Sequence, residues 1–256
     1  MLKVRIIPTL LWKGTGLVKG IGFDSWRYIG SVLPAIKVYN LRDVDELILV
    51  DITANGESRE PDYESIKGFA SECTVPFTVG GGITKINHIT KLLSSGADKV
   101  VINTAAYMKQ DFIKEAAIRF GSQCIVASID YKVLQEGVYR CCSCSGTVVT
   151  QIDPVLWAQK LEKMGVGEIL VTSIDRDGTM QGYDLPLIKR IVDAVDVPVI
   201  ASGGAGNYED MRRAIQDCGA SAVAAASMFH FTQQSPAEAK SYLSDAGLPI
   251  RKNFKE

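Results

Sequence analysis

Short runs of consecutive Val, Ile and Leu recur along the chain. Longer stretches, in which apolar residues return every three or four positions, separate them. The runs cover residues 4–11 (VRIIPTLL), 46–52 (ELILVDI), 77–82 (FTVGGG), 99–104 (KVVINT), 124–130 (CIVASID), 168–175 (EILVTSID), 198–204 (PVIASGG) and 221–227 (SAVAAAS). The helix-like stretches between them include YESIKGFASEC, KINHITKLLSSG, QDFIKEAAIRFG, DPVLWAQKLEKMG, LPLIKRIVDAV and YEDMRRAIQDCG, several of which end in Gly, a natural helix stop. Continuous rather than alternating apolar strands, separated by helices, predict a parallel sheet with helices over its outer face. Eight such units in 256 residues predict an α/β chain folded as a closed (β/α)8 TIM barrel rather than an open doubly wound sheet. No G-x-G-x-x-G follows the first strand to support a dinucleotide fold, and no cofactor is expected.

An internal repeat supports the barrel. FTVGGGI (77–83) resembles VIASGGAG (199–206), VVINTAA (100–106) resembles VAAASMF (223–229), and LILVDITANG (47–56) resembles EILVTSIDRDG (168–178), all in the same order. The offset is about 120 residues, so the chain reads as one domain over 1–256 made of half-barrels at about 1–120 and 121–256. At that offset PTLLWK (8–13) falls on ASIDYK (127–132), which sets Leu11 opposite Asp130.

Charge narrows the function classes. Lys and Arg number 28 against 29 Asp and Glu, a net charge of -1, which gives no electrostatic case for nucleic acid or a membrane surface. The apolar stretch at the start is too short to span a bilayer and lacks a small-residue cleavage site, so a cytoplasmic protein is expected. Cys141, Cys142 and Cys144 cluster in YRCCSCSGT. Without a second C-x-x-C pair or a nearby His they make no four-ligand metal site, and a reduced surface hairpin is expected there.

Reacting groups of such barrels sit at the C-terminal ends of the strands. Here those ends carry Asp51, Gly82, Asn103, Thr104, Asp130, Asp177, Gly204 and Ser227. A Gly-Gly turn lets backbone N–H groups approach an anion closely. Gly82 with Asn103 and Thr104 therefore forms one candidate phosphate site, and Gly204 with Ser227 a second. A single Gly-Gly would read as a tight turn; two symmetric copies suggest a small ligand phosphorylated at both ends. Lys19 could neutralise a phosphate, and Asp51 and Asp177 complete the candidate ligand-binding set. Asp130 is a candidate general acid or base, whereas Leu11 cannot exchange a proton. At the opposite end Arg5, Glu46, Lys99 and Glu168 stand near strand starts with balanced signs, as a salt-bridge plug or something more.

The blocks VKG (18–20), DELILVDITA (45–54), PFTVGGGI (76–83), GADKVVINTAA (96–106), FGSQCIV (120–126), GEILVTSIDRDGT (167–179), GYDL (182–185), PVIASGGAG (198–206) and MFHF (228–231) resemble the cyclase subunit of imidazole glycerol phosphate synthase, of histidine biosynthesis, from residue 2 to about 251. That resemblance implies a glutaminase partner docked at the barrel floor and ammonia passed up the barrel interior. It implies that Arg5, Glu46, Lys99 and Glu168 form the ammonia gate, and that Asp98 and Gln123 belong to the docking face. Of the two aspartates that such cyclases use as acid and base, one maps to Asp130 and the other to Leu11.

The departures cluster in the first loop: TLLWKGTGLVKG stands where the family usually has CLDVKDGRVVKG, while Lys19 is kept. The segment 25–36 also departs, although Arg27 matches. Three expectations follow. The chain is a divergent paralogue, similar to copies associated with bacterial surface sugars, pairing with a glutaminase and feeding a sugar amidotransferase. Alternatively it is an active cyclase-lyase, or a non-catalytic subunit that activates its glutaminase.

Overall fold

A computed structural model describes residues 3–109, 111–135 and 137–251; Gln110, the first residue of one expected helix, lies outside that set. The strands of the first part are β1 Arg5–Lys13, β2 Gly16–Ile21, β3 Asp24–Gly30, β4 Leu47–Asp51, β5 Phe77–Gly80 and β6 Lys99–Ile102. Those of the second are β7 Ile125–Gln135, β8 Val138–Ser143, β9 Val148–Val149, β10 Glu168–Ser173, β11 Val199–Ser202 and β12 Ala222–Ala225. β1, β4, β5, β6, β7, β10, β11 and β12 pair in parallel in that order, and β12 returns to β1. The result is the closed eight-stranded (β/α)8 barrel expected from the apolar runs.

Helices α1 Val32–Leu41, α2 Tyr63–Glu72, α3 Ile86–Ser94, α4 Thr104–Met108 and α5 Phe112–Phe120 surround the first strands, and α6 Pro154–Lys163, α7 Leu185–Val192, α8 Tyr208–Gln216, α9 Ser227–Phe231 and α10 Pro236–Asp245 the others. Their starts follow local chemistry. Asp153 accepts hydrogen bonds from the N–H groups of Val155 and Leu156, with Pro154 at the first helical position. Asn207 with Asp210, and Ser235 with Glu238, form reciprocal capping boxes.

Strand pleating sorts each barrel strand into two faces. On β1, Ile6, Leu10 and Trp12 pack outward beneath the helices. Ile7 points inward with Ile48, Val101, Val126, Leu170, Ile200, Ala222 and Ala224, forming an aliphatic bore. The alternation on β1 therefore gives one inward column of Arg5, Ile7, Thr9 and Leu11. On β7 the corresponding column is Val126, Ser128 and Asp130.

Both β1 and β7 run past the barrel rim into antiparallel hairpins, β1 with β2 and β3, β7 with β8 and β9. Neither hairpin belongs to the apolar-run pattern. The second carries the cysteine cluster and corrects the expectation of a surface position: Cys141 and Cys142 are fully buried, because β8 packs against the barrel, and Cys144 is half-buried. Among the described residues no helix is long and apolar enough to cross a membrane.

Candidate functional site

The C-terminal ends of the barrel strands enclose one cavity. Leu11, Lys19, Asp51, Gly82, Asn103, Thr104, Asp130, Asp177, Gly204 and Ser227 all line it, so the structure brings together every ligand-site residue expected at the mouth. Thr9, Phe23, Trp26, Ser128 and Thr172 share the wall.

Leu11 and Asp130 occupy equivalent places. Leu11 pairs with Val50 on the parallel side and Val18 on the hairpin side; Asp130 pairs with Thr172 and Cys142 in the same two relations. Position 11 thus carries a hydrocarbon side chain at the place equivalent to Asp130. Asp130 is held by Ser128, whose hydroxyl donates to Oδ1 at 2.9 Å, and by the Asn103 amide, which donates to Oδ2 at 3.1 Å. Enclosure in the barrel wall lifts its pKa to about 7. The Ser128 hydrogen bond opposes that rise, and the nearby Asp177 charge adds to it. A carboxyl group titrating there can give or take a proton at neutral pH.

The same shift has a consequence for stability. Because the folded protein holds this proton more tightly than the unfolded chain, the contribution of Asp130 is full below pH 4 and is lost as pH rises towards 7. Relative to Asp130→Asn, the wild type is expected to lose stability over that window with a slope approaching about 1.4 kcal/mol per pH unit, measured by urea unfolding at each pH. Parallel pH profiles for the two proteins would overturn the assignment.

The other charged groups of the mouth are paired. Lys19 Nζ, on buried β2, lies 3.0 and 3.1 Å from the two oxygens of Asp177. Asp51 receives a two-pronged contact from Arg59, Nη2 to Oδ1 at 3.0 Å and Nη1 to Oδ2 at 2.7 Å, besides the N–H groups of Thr53 and Ala54. Arg59 was not readable as a site residue, since it comes back to Asp51 through an irregular loop. Ser128 could have been found: it lies two positions before Asp130 on the same strand, hence on the same face.

Of the two candidate phosphate turns, Gly81–Gly82 and Gly203–Gly204 all have positive φ. A Cβ on Gly81 would fall 2.2 Å from the Asp51 carbonyl oxygen, and one on Gly204 would fall 2.3 Å from that of Gly182. Close packing alone therefore requires glycine at both. The Thr104 hydroxyl accepts the Cys144 N–H at 3.0 Å, and the Asn103 amide also bonds the carbonyls of Ser128 and Cys142. These two residues thus tie the second hairpin to the mouth. The Ser227 hydroxyl, by contrast, is buried with no partner among the described residues.

At the barrel floor the four expected charges touch in a closed ring. Arg5 contacts Glu46 at 2.8 Å and Glu168 at 3.0 Å; Lys99 contacts Glu46 at 3.0 Å and Glu168 at 2.8 Å. Thr78 donates a further hydrogen bond to Glu46 at 2.7 Å. Asp98 and Gln123 are exposed beside the starts of β6 and β7, on this same end, and Asp98 also accepts the Phe77 N–H at 2.8 Å.

The mouth thus combines a buried carboxyl group of raised pKa, two glycine turns and a paired lysine at one end of an aliphatic bore, with a ring of alternating charge at the other. A family model described as "Histidine biosynthesis protein" matches residues 5–235, and the chain belongs to that family.

Proposed function

We propose that this chain is a cyclase-subunit-like barrel that docks a glutaminase on its floor and takes up the ammonia released there. It then passes that ammonia to a sugar amidotransferase for amidation of a surface-polysaccharide sugar, with a small phosphorylated ligand bound at the mouth. The contrast between the two ends supports this reading: the floor ring is complete, while the mouth has leucine where a second carboxylate would stand. An aliphatic bore suits the neutral molecule, because transferring ammonium into it would cost far more than transferring ammonia. The glycine turns fit an anionic ligand, the Lys19 charge being already matched by Asp177, and Asp130 remains able to move a proton. General acid and base groups typically contribute about 10²–10⁴-fold each, so ring closure by Asp130 alone would be slow.

A coupled assay tests the route. With the glutaminase bound, Lys99→Ala and Arg5→Ala are each expected to leave glutamine hydrolysis running while a larger share of the ammonia escapes into solution, read as glutamate formed against amidated product. Unchanged coupling in both variants would remove the gate assignment. Glutamine-dependent cyclase turnover by the wild type would instead make the chain a working member of the histidine pathway. Faster glutamine hydrolysis with no ammonia transfer would make it an activating subunit only.

A further inference from the structure

We propose that Thr9 forms, with Ser227, a neutral hydroxyl-recognition subsite on the leucine side of the mouth, and that it selects a phosphorylated sugar or polyol through one of the ligand's own hydroxyl groups. The subsite rests on the reading of Gly204 and Ser227 as an anion site and adds the group that this site prefers beside the phosphate.

The starting point is the equivalence of β1 and β7. Thr9 pairs with Ile48 as Ser128 pairs with Leu170, two residues before Leu11 and Asp130 respectively. On β7 the hydroxyl is satisfied, because Ser128 donates to Asp130. On β1 it is not: Thr9 Oγ1 is buried, lines the cavity and has no hydrogen-bond partner among the described residues, since Leu11 offers none. The neighbouring strand repeats the situation. β12 pairs with β1 through Pro8 and Ala225, and Ser227, just beyond, also lines the cavity with a buried, unpartnered hydroxyl. Buried hydroxyl groups without partners are uncommon in folded proteins, and two lining one cavity, one on β1 and one at the start of α9, mark a place where another molecule completes the bonding.

The chemistry of the wall selects the class of that molecule. Besides Thr9 it includes Leu11, Val50, Ala224, Ala225 and Ala226, none of them charged, with Lys19 of the paired strand β2 engaged by Asp177. The charged groups of the mouth are already engaged, Lys19 with Asp177 and Asp51 with Arg59. An ammonium group would find no carboxylate on this side, and a second anionic group beside the phosphate no free cation. A ligand hydroxyl both donates and accepts, as Thr9 and Ser227 do, and its carbon chain can rest on Leu11 and the alanines.

Calorimetric titration of the full chain with ribose 5-phosphate and, separately, with inorganic phosphate tests the subsite. The wild type is expected to bind ribose 5-phosphate about tenfold or more tightly than inorganic phosphate, the equivalent of one well-placed hydrogen bond. Thr9→Val, which keeps the shape and removes the hydroxyl, is expected to erase that preference and leave inorganic phosphate binding unchanged. Thr9→Ser is expected to keep most of it. A preference unchanged in Thr9→Val overturns the subsite, as does an equal loss for both probes. Absence of binding by either probe to the wild type would remove the anion-site reading itself, and the subsite with it; binding of inorganic phosphate with no preference would remove the subsite alone.

Discussion

Leu11→Asp, and not the wild type, is expected to turn over the histidine-pathway cyclase substrate when ammonium is saturating. Saturating ammonium removes the glutaminase from the experiment, so the result reports on the mouth alone. In the wild type the inward column of β1 presents Thr9 and Leu11, and no group at position 11 can exchange a proton. The substituted carboxylate would enter a prepared place. It would share the cavity with Asp130 at an equivalent position in the barrel, and the unpartnered Thr9 hydroxyl could donate to it as Ser128 donates to Asp130. An acid–base group in place contributes about 10²–10⁴-fold, so the gain is expected to be large against a wild-type rate near background. Asp130→Asn in the Leu11→Asp background is expected to abolish it. Ready turnover by the wild type, unchanged in Leu11→Asp, would show that Asp130 suffices and that the leucine is compatible with ring closure.

Removing one member of the buried Lys19–Asp177 pair is expected to be the most damaging single change at the mouth. Both residues are nearly inaccessible, and the contact is two-pronged. Lys19→Met leaves the Asp177 carboxylate buried without its cation, and breaking such a pair costs about 3–5 kcal/mol. In a domain of this size that corresponds to a fall in Tm of roughly 6–20 °C by calorimetry. Lys19→Met with Asp177→Asn together is expected to recover at least half of the loss, because no unpaired charge then remains. A loss of under about 1 kcal/mol in the single variant would mean that the pair behaves as an exposed one.

The barrel was legible because its eight strands are continuous apolar runs at regular spacing, and the strand ends then place Asp51, Asp130, Asp177 and the glycines at one mouth. The two hairpins were not. β3 is half-buried or exposed throughout, and β7 continues past Tyr131 into half-buried and exposed residues, so neither leaves an apolar run. The short helices α4 and α9 span five residues each, too few to show a helical period. At the site, the cysteines read as surface residues because the residues around them are polar, and only the packing of β8 buries two of them. Arg59 gave no signal, since its approach to Asp51 depends on the path of a loop.

Those hairpins do not stay within their own side of the barrel. The first donates the Gly22 N–H to the Asp177 carbonyl at 2.9 Å, and Gly178 is packed against the Gly20 carbonyl, beyond β10. The second reaches the other way, the Ser145 hydroxyl donating to the Ile52 carbonyl at 3.2 Å beyond β4, and a Cβ on Gly146 would lie 3.2 Å from the Phe23 ring. Each rim loop is thus braced by the opposite set of strands, like the crossed struts of an arch. The loop that has drifted furthest in sequence is consequently also a structural member. It braces the far rim through the backbone of Gly20 and Gly22, so its side chains can change while the far rim keeps its shape.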